Sequence, residues 1–219
     1  MIKILTNQLL KKINKERIVC IGDSHAYFLK NVPYFEIQTV GPATAYNLIT
    51  QNSTTKSREK CFEILNHLNS EETALLFSFG EIDLRVHVIK AAKNSNGIFY
   101  SVLQTLNRYI QFIEEICNLG WTIIIQGPCA SGFEEAYNLE FPYFGSMKER
   151  NIATTLFNEN LKKYCKNSKI PFGSLYDLCI EKETLNTIPD FFSDGCHLKH
   201  DICLESIIIS RFISSVDFS

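Results

Sequence analysis

The sequence has no charge imbalance: 22 lysines and arginines stand against 24 aspartates and glutamates, a net charge of −2. That excludes the basic footprint of a nucleic-acid-binding surface, and small groups such as Lys11-Lys12 and Lys162-Lys163 read as solvated helix faces. No apolar run is long enough to cross a bilayer, so no membrane span is expected. The first twelve residues lack the sustained apolar stretch and small-residue cleavage site of an export signal. They read instead as a short amphipathic helix within residues 1–16. The eight cysteines, at 20, 61, 117, 129, 165, 179, 196 and 203, form no Cys-x-x-Cys pair. With no export signal they are expected to be reduced core thiols in a cytoplasmic protein, without a structural zinc site.

What is present is a globular composition, 45% hydrophobic and 21% charged. Apolar runs that read as buried strands recur at 17–22, 35–40, 73–79, 121–126 and 171–176. Segments with helical periodicity lie between or after them, at 24–31, 43–51, 57–68, 99–118, 146–167 and 199–216. Strand and helix alternate, which predicts a five-stranded parallel sheet covered on both faces, a three-layer α/β/α sandwich. No repeat or low-complexity linker divides the chain, so residues 1–219 read as one domain. Residues 129–148 are long for a connection and carry Phe133, Tyr137, Phe141, Tyr143 and Phe144. They read as a pocket-rim loop whose aromatics either line the pocket or pack the loop down, and Arg150 beyond it either reaches inward or forms a surface pair.

In such sheets ligands bind beyond the carboxyl ends of the strands. There the sequence places Ile21-Gly22-Asp23-Ser24-His25 after the first strand, Gly41-Pro42 after the second and Gly80-Glu81-Ile82-Asp83 after the third. Asp194-Gly195-Cys196-His197 precedes the last helix. A serine at a strand-to-helix turn meets unpaired backbone N–H groups, the donors that an ester's oxyanion requires. A histidine and a carboxylate three residues apart supply a general base and the group that orients it. Ser24 alone is as well read as a helix cap, a job Asp23 would share. With His197 and Asp194 it reads as a nucleophile, His200 being the competing base. Cys196 reads as a small buried filler.

These blocks, in this order, resemble those of the SGNH (GDSL-type) hydrolase family over about residues 17–216. The resemblance implies a catalytic triad of Ser24, His197 and Asp194, an oxyanion hole of the Ser24 and Gly41 backbone N–H groups, and no metal or other cofactor. The family's third block is usually Gly-x-Asn-Asp; here Ile82 stands where the asparagine side chain would donate to the oxyanion. The variant Gly-Glu-Ile-Asp-Leu-Arg-Val-His at 80–87 resembles a subgroup found among bacterial surface-polysaccharide proteins. Arg85 is then either a replacement donor or the partner of Glu81 or Asp83. Glu81 and Asp83 either assist the substrate or form a buried ion-pair network, and His25 either lines the cleft or packs against a neighbouring loop.

The expected function is hydrolysis of a carboxylic ester through an acyl-enzyme on Ser24, the substrate being a small-molecule or glycan ester and the group removed an acetyl. An O-acyltransferase using the same triad and a silent binding module that keeps the fold are the alternatives, the latter favoured by Ile82.

Overall fold

The computed structural model describes residues 1–94, 97–134 and 141–216. Five parallel strands form one sheet in the order β2-β1-β3-β4-β5. They are β1 Arg17–Gly22, β2 Phe35–Thr39, β3 Thr73–Ser78, β4 Thr122–Gln126 and β5 Phe172–Gly173. The register is regular: Gly22 lies beside Thr39 on one side and Ser78 on the other. The strand ends that carry the site are therefore level.

Alternation along the central strands builds two cores. Val19, Ile21, Leu75, Phe77, Ile123 and Ile125 face one side, under α2 (Ser57–Asn66), α3 (Val88–Ala92), α4 (Gly97–Asn118) and α5 (Met147–Asn167). Ile18, Cys20, Ala74, Leu76 and Ile124 face the other, under α1 (Ile2–Ile13) and α6 (Ile202–Val216). Strands buried on both faces must be apolar throughout, which is why they read as continuous runs rather than alternating ones. Of the eight cysteines, all free, six are buried and only Cys203 is exposed. No helix among the described residues is long and apolar enough to cross a membrane.

Three segments take a form other than the one expected, two of them expected helices and one an expected loop. The segment after β1 is a 3₁₀ helix of six residues, Ser24–Leu29, capped by Asp23, whose side chain accepts the His25 N–H. Its tighter winding brings Ala26, Phe28 and Leu29 into the core with few intrahelical bonds. The expected helix at 43–51 is only a 3₁₀ turn, Ala45–Asn47, whose start is held by a side chain from elsewhere. Residues 80–87, read as a loop, wind into a π-helical turn, Asp83–His87, that runs on into α3. Helix α5 begins as expected, at a capping box between Ser146 and Glu149. Part of the rim loop, with Tyr137, lies outside the described residues.

Candidate active site

Gly22 ends β1 where the chain turns toward Ser24. A β-carbon there would lie 2.5 Å from the Ser78 carbonyl oxygen and 3.0 Å from the Ala26 β-carbon, so only glycine lets the turn close on the neighbouring strand. Asp23 braces the turn and Ser24 is exposed at its top.

The residues before α6 supply the other half. Asp194 Oδ1 accepts the backbone N–H groups of Cys196 at 3.0 Å and His197 at 2.7 Å, an Asx turn that fixes the loop. Its second oxygen lies 2.7 Å from His197 Nδ1, and His197 Nε2 lies 2.8 Å from Ser24 Oγ. Partial burial works against the Asp194 charge, but the bonds from His197 and Cys196 outweigh it and hold the carboxyl below its ordinary range. With Nδ1–H committed to Asp194, Nε2 faces the serine as an acceptor. Ser24, His197 and Asp194 thus stand in one hydrogen-bonded line across 173 residues of sequence. His200 is turned to Glu205, 3.8 Å away.

An open cleft of about 190 Å³ lies over this line, bounded by Tyr27, Phe28, Ser193, Leu198 and His200. The rim loop leans on it. Phe133 N–H donates to the Gly195 carbonyl, and Phe141 sets its ring edge-on to His197, 6.3 Å between centroids. Arg150 reaches inward: fully buried, it donates to Ser131 Oγ and the Gly145 carbonyl and lies beneath the Tyr143 ring.

Glu81, Asp83 and Arg85 lie beneath the site rather than in the cleft, all buried at 5% exposure or less. Arg85 donates to Glu81 Oε1 at 2.8 Å and to the Pro142 carbonyl. Its guanidinium thus pairs with Glu81, one of the two partners expected for it, and ties Glu81 to the rim loop. The other Glu81 oxygen meets His25 Nε2 at 3.1 Å, a charge contact rather than an aligned hydrogen bond. Burial alone would raise the Glu81 carboxyl; His25 and Arg85 outweigh it and hold it down at about 2. Burial likewise opposes a charge on His25, yet Glu81 lifts its pKa well above the ordinary histidine value. Glu81 thus favours the charged form of His25, whose ring lies 4.7 Å from that of His197. Sequence reasoning named both His25 and Glu81 without pairing them. The Glu81–Arg85 spacing of four, a helical signal, was the clue that this segment winds.

Asp83 is sealed from solvent and accepts the backbone N–H groups of Ala45 at 2.7 Å and Tyr46 at 3.1 Å. Burial pushes its carboxyl up to about 7. It thereby anchors the loop that leaves Gly41, whose φ of 84° places it in the left-handed region. Ile82 is half-buried and has no polar atom to offer.

No family model matches this chain, and no curated protein does. Among solved structures it is similar to a candidate acylhydrolase of Bacteroides fragilis, with 17% identity over 93% of this chain and 89% of that one, TM-score 0.59. It is also similar to a GDSL-like lipase of Bacteroides thetaiotaomicron (15% identity, 100% and 98% covered, TM-score 0.54). An acetyl xylan esterase matches at 12% identity, 91% and 99% covered, TM-score 0.52. At these identities the likeness is one of architecture: the chain has the five-stranded α/β/α fold of the GDSL-like lipases and acylhydrolases.

Proposed function

We propose that this protein is a serine hydrolase of carboxylic esters, acting through an acyl-enzyme on Ser24. The carrying observation is the line Ser24 Oγ–His197 Nε2 at 2.8 Å and His197 Nδ1–Asp194 Oδ2 at 2.7 Å. His197 takes the Ser24 proton as Oγ attacks the ester carbonyl, and Asp194 holds the imidazole in the required tautomer and stabilises its charge. The developing oxyanion is met by the backbone N–H groups of Ser24 and Gly41. Collapse expels the alcohol with the proton from His197, and water, activated by the same base, discharges the acyl group.

One side-chain oxyanion donor is missing at Ile82, a loss that costs about 10²- to 10³-fold where such donors have been removed. Glu81 favours the charged form of His25 beside the nucleophile, and a positive charge there would oppose part of the loss. The cleft of about 190 Å³, bounded by Tyr27, Phe28 and Leu198, suits a small acyl group, so acetate on a glycan or glycoconjugate is the favoured substrate. The acetyl xylan esterase among the similar structures supports that choice.

Purified protein is expected to release p-nitrophenol from the acetate ester faster than from longer-chain esters, and Ser24→Ala is expected to abolish the release. Equal rates for the two proteins would overturn the reading. More acylated glycan than free acid, from an acyl donor plus acceptor glycans, would turn it into a transferase.

A further inference from the structure

Two histidines here each have one ring nitrogen occupied by a carboxylate. Asp194 holds His197 Nδ1 at 2.7 Å, and Glu81 holds His25 Nε2 at 3.1 Å. The remaining nitrogens are His197 Nε2 and His25 Nδ1. One ring nitrogen of each histidine and the Cys196 sulfur lie within 4.8 Å of one another. A second thiol, Cys129, has its sulfur 3.8 Å from His25 Nδ1. Metal-binding histidines characteristically donate their other N–H to a carboxylate, which fixes the ring and raises its basicity. The His197 ring already stands in that arrangement, and His25 Nε2 has a carboxylate oxygen 3.1 Å away.

We infer that His25, Cys196 and His197 form a binding site for a thiophilic divalent cation of the zinc type, and that occupation switches the hydrolase off. Two imidazoles and a thiolate suit zinc; magnesium and calcium require oxygen donors. Metal–nitrogen and metal–sulfur bonds of about 2.0 and 2.3 Å place ligand atoms about 3.5 Å apart, so the cluster must contract by roughly 1 Å. His197 lies on the open side of the cluster, in a loop at the cleft, where that movement is available. The fourth position falls to water or to Ser24 Oγ. Binding forms bonds to Cys196 Sγ, His25 Nδ1 and His197 Nε2. It releases the thiol proton and any proton on His25 Nδ1 to solvent, and it breaks the His197–Ser24 hydrogen bond. The base can then no longer accept the serine proton.

The inhibition rests on the esterase reading; the binding does not. The test therefore measures both, with zinc and cobalt(II) ions as the probes. The intact protein is expected to take up one zinc per chain by calorimetry, and cobalt(II) is expected to give a thiolate-to-cobalt charge-transfer band. Cys196→Ser should lose the band and weaken zinc at least ~10-fold, while Cys203→Ser, at the exposed thiol, should change neither. Imidazole nitrogen resonances of His25 and His197 in the unaltered chain should shift on adding zinc, a readout independent of whether Cys196→Ser folds. Where esterase activity is present, zinc should suppress it and a chelator should restore it. Absence of zinc uptake, a cobalt band that survives in Cys196→Ser, or one lost in Cys203→Ser would overturn the site. Zinc uptake by a chain with no esterase activity would leave the site standing and sink the hydrolase.

Discussion

Asp83 accepts the backbone N–H of Ala45 at 2.7 Å, so a carboxylate following β3 pins the loop that follows β2. With Tyr46 also bound, both Asp83 oxygens are used, and the loop leaving Gly41 is held from below. In Asp83→Asn one of the two backbone donors faces an amide N–H₂ and loses its acceptor. A loss of about 1–3 kcal/mol is expected from urea unfolding. Hydrolysis should fall with it, because Gly41 is no longer positioned. An unchanged midpoint and rate would show that the loop is held by something else.

The same carboxyl gives a pH dependence with a definite sign. Its pKa is about 7 in the folded chain against 3.8 unfolded, so between those values the folded state keeps a proton the unfolded state gives up. Stability from this group is complete below the lower value and is lost as pH rises through the upper one. Asp23, pushed by burial to about 6, acts in the same direction. Glu81, held at about 2 against 4.5 unfolded, acts oppositely: its contribution is lost as pH falls through that lower range. Unfolding midpoints taken across the Asp83 window should decline less steeply with pH in Asp83→Asn than in the parent. Parallel curves would rule out Asp83 as a source of the slope.

Gly22→Ala drives a methyl group against the Ser78 carbonyl oxygen at 2.5 Å. The backbone must shift at the residue where β1 hands the chain to Ser24. About 1–3 kcal/mol of stability should be lost, together with esterase activity beyond what the unfolded fraction explains. Thermal melts and rates measured on the same sample separate the two effects.

Asp194→Asn keeps an oxygen for the loop's backbone N–H groups but loses the anion facing His197 Nδ1. Asp194 is more than half exposed, so the melting temperature should change little. The rate should drop by ~10²- to 10⁴-fold through the wrong imidazole tautomer. A rate within a few-fold of the parent would remove Asp194 from the mechanism.

The sheet was legible because its strands are buried on both faces and cannot avoid being apolar throughout. Ser24, Asp194 and His197 were legible because their chemistry and order are restrictive, although nothing in the sequence measures the distance between them. The segment 80–92 was not, since Leu84, Val86 and Val88 alternate like a strand while the backbone winds as a π turn into α3. Residues 43–51 misled in the other direction. Their apolar residues Ala45 and Leu48 are buried as a helix would bury them, but the long-range bond from Asp83 sets the conformation. The His25–Glu81 contact joins loops from two strands and leaves no local signature. Cys196 and His197 are adjacent in sequence, without the gap of two to five residues typical of zinc motifs, so their meeting with His25 emerges only in three dimensions.

The central claim is that Ser24 is an activated nucleophile, and reaction with a fluorophosphonate followed by intact-mass and peptide analysis tests it most directly. One adduct per chain on Ser24 is expected, formed rapidly by the parent protein and not by His197→Ala within the same time. A chain that stays unmodified, or that carries the adduct on another residue, would contradict it.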